Sequence, residues 1–286
     1  MFGFSKQAYY KSIARAEKVA FDEYLMIELI RQKRRIWKKG SGRNLLACLQ
    51  EEFTRHGISI GRDRFFDLLG RHGLLVRRRS RYARTTHSYH HYHRYANLIE
   101  DLVPDGPNQV WVSDITYIWC QAEQSFVYLF LITDMYSRKI VGYAVGWTLE
   151  ASWAVQALRM AIDQCASVPD GLIHHSDRGV QYCCGEYIER LSAHAIKPSM
   201  TQNGDPLENP IAERVNRTIK EEFMDSYKQG YSGRTQALEE IPRNIEFYNQ
   251  IRPHSSVNMF TPDQAHSMTG CIPRKWKNYY TQKTVQ

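Results

Sequence analysis

The chain has 286 residues, 43% hydrophobic and 24% charged, with a net charge of +8. That length allows one to three domains and an ample core, and no apolar run reaches the roughly 18 residues of a membrane span. The N-terminus, MFGFSKQAYYKSIAR, has no apolar leader stretch, and the six cysteines follow no framework or C-x-x-C spacing. A cytoplasmic location with reduced thiols is therefore expected.

The charge is unevenly placed. Residues 1–97 hold 21 Lys and Arg against 8 Asp and Glu, an excess of +13; residues 98–286 hold 17 against 22, an excess of −5. A basic front third joined to a mildly acidic body suits a polyanion-binding arm on a separate functional unit.

In chain order, residues 1–22 read as a short helix opened by Ser5, with Ala8, Tyr9 and Ile13 at helical spacing. Three helical segments follow between about 24 and 74: DEYLMIELIRQKRRIW, RNLLACLQEEFTRH and RDRFFDLLGRH. The last two, joined through HGISIG, form a helix-turn-helix pattern with Gly61 as the cap of the second helix. Arg62, Arg64 and Arg71 are placed to meet a groove or phosphates. The stretch 77–97, RRRSRYARTTHSYHHYHRYAN, interleaves arginine with aromatic rings. Arg77, Arg78, Arg79 and Arg81 can neutralise phosphates, and the rings can stack on bases. Its histidines (His87, His90, His91, His93) do not have the spacing of a closed zinc site, and no cysteine lies nearby.

From residue 109 the apolar period becomes two. QVWVSDITYIW and the two runs within FVYLFLITDMYSRKIVGYAVGW predict a three-strand antiparallel meander. A helix over EASWAVQALRMAIDQC, a strand at GLIHHSD, a helix over GEYIERLSAH, a strand at AIKPSM and further helices predict a mixed five-stranded sheet flanked by helices, an α/β body.

Three acids stand out in this body. Asp114 lies mid-strand among Val110, Val112 and Ile118, where an unpaired carboxylate is costly unless paired, neutral or metal-bound. Asp177 ends a strand just before the Gly179 turn, at the kind of strand end where ligands meet α/β sheets. Glu213 sits early in a helix opened by Asn209 and Pro210, whose apolar stripe is Ala212, Val215, Ile219 and Phe223. Arg217 and Lys220 fall at i+4 and i+7 from Glu213, on one polar face. Three carboxylates suit two hard divalent cations, which would clamp both oxygens of a phosphodiester displacement. Asp134, at a hairpin start, reads as a turn former, and Asp205 and Glu208 as loop or cap residues. His174 and His175 read as strand-end structure. Spacing by itself leaves an Asp114–Asp134–Asp177 set open.

The segments PNQVWVSDITYI, TDMYSRKIVGYAV, GLIHHSDRGVQY, PSMTQNGDPLENPIAERVNRTIKEEF and FYNQIRPHSSVNMFTP, in this order, resemble the second-frame (OrfB) transposases of the IS-three family of insertion sequences, in the retroviral-integrase-like DDE superfamily. The resemblance covers nearly the whole chain. It implies an RNase H-like core and a D,D-35-E triad, which maps onto Asp114, Asp177 and Glu213, with Lys220 at the family's basic position. Where the family usually has N-A-x-A-E, this chain has Asn-Pro-Ile-Ala-Glu. The implied domains are an N-terminal helical arm (1–23), a helix-turn-helix DNA-binding domain (24–80), a basic linker (81–104), the catalytic core (105–268) and a tail (269–286). The implied cofactor is a pair of Mg²⁺ or Mn²⁺ ions on the triad. The implied activity is a DNA transposase that cuts element ends and joins the 3′-hydroxyl to DNA. Its implied partners are double-stranded DNA, further copies of the chain, and a small upstream helix-turn-helix and leucine-zipper protein joined by frameshifting. The alternatives are a DNA-binding regulator with an inactive core, and a nuclease for RNA–DNA hybrids. The basic helix-turn-helix, suited to B-form duplex, argues against the second.

Overall fold

The structure, a computed structural model, describes residues 5–76, 95–165, 167–202, 208–224 and 229–273. Its contacts divide the chain into two units, 1–79 and 80–286.

The first unit is helical. Helix α1 runs unbroken from Lys6 to Arg34, and the Ser5 hydroxyl accepts from the Ala8 N–H at 3.2 Å. The sequence reading of a break near residue 23 is corrected: the segment Ala20–Tyr24 contains neither Gly nor Pro, and nothing interrupts the backbone ladder. Helices α2 (Gly42–Arg55) and α3 (Arg62–Arg71) follow. Ser41 caps α2 by accepting from the Asn44 N–H, whereas Gly61 opens α3 with no side-chain cap. Between them Gly57 takes φ +68°, a conformation that disfavours any side chain. Ile30, Trp37, Leu45, Leu49, Phe53, Phe65 and Leu69 are buried. Glu23 on α1 accepts from Arg71 and contacts His72, both at 2.9 Å. Arg71 is thus engaged within its own unit.

The second unit is a five-stranded sheet in the order β3-β2-β1-β4-β5. Strands β1 (Val110–Cys120), β2 (Ser125–Asp134) and β3 (Ile140–Gly146) form the antiparallel meander. Strands β4 (Ile173–Ser176) and β5 (Lys197–Met200) add on parallel to β1. Helix α4 (Ala151–Asp163), the short α5 (Val180–Cys183) and α6 (Gly185–Ala193) provide the crossovers. Alternation sorts the sides of β1. Trp111 joins Leu158, Tyr187 and Leu191 in one core, while Val110 and Val112 join Ala212 of α7 (Pro210–Phe223) in the other. Helices α8 (Arg234–Gln250) and α9 (Pro262–His266) complete the described part. This mixed sheet flanked by helices is the RNase H-like arrangement.

Close approach fixes α4 on the sheet: a Cβ on Gly142 would stand 2.2 Å from the Ala157 carbonyl oxygen. At the far end of α7, Glu222 forks onto the buried Arg252 at 2.7 and 2.8 Å. None of the six cysteines is in a disulfide. No helix among the described residues is long and apolar enough to cross a membrane.

Candidate active site

Strand register brings the first two acids together. The parallel pairing of β1 with β4 sets Ser113 opposite Ser176, so the next residues, Asp114 and Asp177, leave the ladder side by side. Asp114 lies on the same face of β1 as Val110 and Val112, the face that α7 covers. Helix α7 carries Glu213 in its first turn.

The electrostatics register this meeting. Burial raises the Asp114 carboxyl to about 7, and the charges of Asp177 and then Glu213 push it the same way. Two donors oppose the rise: the Asn216 amide gives a hydrogen bond to Oδ2 and the Ile115 N–H gives one to Oδ1, each at 2.8 Å. Asp177 accepts from the Gly179 N–H at 3.0 Å through its Oδ1, which folds the turn back on the strand end. Among the described residues, no three His, Cys, Asp or Glu side chains already form a group tight enough to hold a metal ion. Asp177 and Glu213 are each within electrostatic reach of Asp114.

Lys220, two turns beyond Glu213, is partly buried. Burial pushes its ammonium down, against the attraction of Asp114 and Glu221. Arg217, at i+4 from Glu213, is exposed as Glu213 is, and is paired with Glu221 at 2.8 Å. Asn216 and Lys220, at i+3 and i+7 from Glu213, are the residues of α7 that engage Asp114. Arg62 and Arg64 are exposed on α3 in the first unit, and Arg62 contacts its neighbour Asp63. Arg77, Arg78, Arg79 and Arg81, the His87–His93 cluster, Asp205 and the tail beyond 273 lie outside the described residues.

The other acids have structural roles. Asp134 is fully buried and accepts from the Asn108 N–H and from the Ser137 N–H and hydroxyl, at 2.6–2.7 Å. It is a hairpin clasp, as its position suggested. Glu208 accepts from the Gln202 N–H. His174 is buried, with its Nε2 2.7 Å from the Ser113 hydroxyl and 2.8 Å from the Tyr187 hydroxyl. His175 contacts the Ser199 hydroxyl at 2.9 Å.

The sequence reading missed Asn216 and gave Asn209 a capping side chain that the structure corrects. Asn209 holds the N-cap position of α7, but its side chain makes no cap; its Nδ2 donates to the Ser113 carbonyl at 2.8 Å instead. Asn216 donates to Asp114 as described. The available signal was an asparagine, a weak helix former, inside a helix and beside an apolar stripe.

Two aspartates side by side where the parallel β1–β4 pairing ends, with a third acid on a covering helix, define a site of the integrase-core class. The integrase core domain family matches residues 104–206, and a second integrase core domain family matches residues 194–262. The chain is 34% identical over 267 residues to the insertion element IS600 uncharacterized 31 kDa protein of Shigella sonnei, covering 92% of this chain and 94% of that one. It is 30% identical over 198 residues to transposase InsF for insertion sequence IS3A of Escherichia coli K12, covering 68% and 67%. Among solved structures, the HTLV-2 integrase catalytic core domain in complex with magnesium aligns with a TM-score of 0.42 at 18% identity, over 58% of this chain and 100% of that one. The chain belongs to the insertion-sequence transposases of the integrase-like DDE superfamily, DNA-acting polynucleotidyl transferases.

Proposed function

We propose that Asp114, Asp177 and Glu213 are the catalytic acids with which this transposase cuts insertion-sequence ends and joins them to DNA. The observation that carries this reading is the convergence on Asp114: the two acids that most perturb it are the other two members of the set. The donor set is all oxygen and anionic, which fits hard divalent cations, Mg²⁺ or Mn²⁺, two ions by analogy with paired-metal phosphoryl transfer.

When bound, such ions would activate the attacking oxygen and stabilise the leaving one. Asp114 and Asp177 would hold them from the rigid sheet, and Glu213 from the helix. Water attacks the phosphodiester at the element end, the bond to the 3′-oxygen breaks, and a 3′-hydroxyl is left. That hydroxyl then attacks a second phosphodiester and displaces its 3′-oxygen. No Ser or Tyr nucleophile and no covalent protein–DNA link are required. Lys220, beside Asp114, is suited to a DNA phosphate near the reacting bond. Arg217, Arg62, Arg64, Arg77, Arg78, Arg79 and Arg81 would supply further phosphate contacts on duplex DNA. The domain limits at 23, 80, 104 and 268, assembly of several copies on DNA, fusion to an upstream helix-turn-helix and zipper protein, and a nucleoid location belong to the same proposal.

The test is resealing of a branched DNA that mimics a half-joined product, with Mg²⁺ or Mn²⁺, because reversal of joining demands little end recognition. Asp114→Asn, Asp177→Asn and Glu213→Gln are each expected to abolish resealing while duplex binding persists. Retained resealing in any one removes that residue from the set. Metal-dependent DNA binding without any strand breakage would instead favour a regulator with an inactive core.

A further inference from the structure

We propose that Asn209 and Asn216 are positioning residues, a two-point clamp that sets Glu213 against Asp114; this rests on the three-acid reading above. The two asparagines bracket the exposed Glu213 at i−4 and i+3, Asn209 at the N-cap just before α7 and Asn216 within it. Their partners are adjacent in β1: Asn209 Nδ2 donates to the Ser113 carbonyl and Asn216 Nδ2 to Asp114 Oδ2, both at 2.8 Å. The clamp therefore spans two helical turns on one side and a single peptide step on the other.

Apolar contact cannot supply this. Ala212 against Val110 and Val112 is non-directional packing, and a helix that turns by one residue swings its side chains through about 100°. Two hydrogen bonds of fixed direction remove that freedom. Asn216 also completes the hold on Asp114. With the Ile115 N–H on Oδ1 and the amide on Oδ2, each oxygen has one donor and keeps lone-pair capacity for a ligand.

A second observation points the same way. Both asparagines are buried, at 5% and 4% exposure, and the Oδ1 atom of each is buried with no hydrogen-bond partner among the described residues. An unsatisfied buried acceptor lowers stability. Leucine at either place would extend the apolar surface of Ala212, Val215 and Ile219 and remove that acceptor, though it also takes the donor from the Ser113 carbonyl or from Asp114 Oδ2. What the amides bring is placement rather than stability, and they bring it on either side of Glu213.

The experiment uses the full chain with Asn209→Leu, Asn216→Leu and the double variant, beside Glu213→Gln. Four quantities are read: melting temperature, duplex affinity, Mn²⁺ affinity by calorimetry without DNA, and single-turnover resealing at saturating branched DNA. The leucine variants are expected to melt close to the parent, since a lost donor and a removed unsatisfied acceptor offset each other, and to bind duplex equally. Each should bind Mn²⁺ about tenfold more weakly and reseal about 10–100-fold more slowly. The double variant should lose less than the product of the single losses, because either release frees the helix. Asn216→Asp, equal in size but set against Asp114 with an acceptor, should be no better than Asn216→Leu. Parent-like Mn²⁺ affinity and rate in the leucine variants overturn the clamp. So does a rate loss that merely tracks melting temperature or duplex affinity. If Glu213→Gln itself reseals at the parent rate, the three-acid reading falls and the clamp with it; if only the leucine variants do, the clamp alone falls.

Discussion

Asp114 and His174 belong to adjacent strands, face opposite sides of the sheet and answer burial in opposite directions. Burial raises Asp114 to about 7 and lowers His174 to about 3, since each disfavours its charged form. His174 is neutral in the fold, and its ring takes hydroxyl partners from β1 and α6. In the unfolded chain it would protonate near 6.5. Between these values the unfolded state binds the additional proton, so the stability held above pH 6.5 is lost as pH falls toward 3. The His174 contribution, a few kcal/mol at most, is expected to lower the melting temperature across that window, while Asp114, whose folded carboxyl holds its proton up to about 7, works in the opposite direction. His174→Gln should make the acid slope shallower, and an equally steep scan would assign the slope to other groups.

The strands were legible in the sequence because each keeps a period of two, and β1 shows its acid on the face shared with Val110 and Val112. The helix carrying Glu213 was legible from Pro210 at its first position and from a stripe that is buried as read. Three things were not. The continuity of α1 depends on the absence of a breaker, a weaker signal than the cap that opens it. The side chain of Asn209 has the chemistry of a cap, and only tertiary contact reveals that β1 takes its donor. Arg217 and Lys220 both lie within helical reach of Glu213, and only the packing of α7 turns one toward Asp114 and the other to Glu221. The tight seat of α4 was equally invisible, since it depends on one glycine in β3. Gly142→Ala places a methyl 2.2 Å from the Ala157 carbonyl oxygen and 2.8 Å from the Ala161 Cβ. Backbone must shift to admit it, and a urea melt is expected to show a loss of about 1–3 kcal/mol or more. A parent-like midpoint would mean that α4 can retreat without cost.

Across the whole molecule, cationic charge is concentrated in the front third and acidic charge in the body that holds the active site. Duplex affinity should therefore fall steeply with salt, through counterion release from the basic segments. Anisotropy titrations between about 50 and 200 mM salt are expected to give a log–log slope reduced by about one in Lys220→Ala. A larger reduction is expected when Arg77, Arg78, Arg79 and Arg81 are replaced together. An unchanged slope in Lys220→Ala would remove it from the DNA contacts. The joints between α7 and β1 also have a consequence in time. They link residues 96 and 102 positions apart, and α7 follows the last strand of the sheet. A growing chain that has emerged from the ribosome only through β5 holds Asp114 and Asp177, but neither Glu213 nor the two asparagines. Translation thus delivers the sheet with Asp114 and Asp177 first and the helix with Glu213 afterwards, so on the proposed three-acid reading a nascent or prematurely ended polypeptide lacks the means to break a strand.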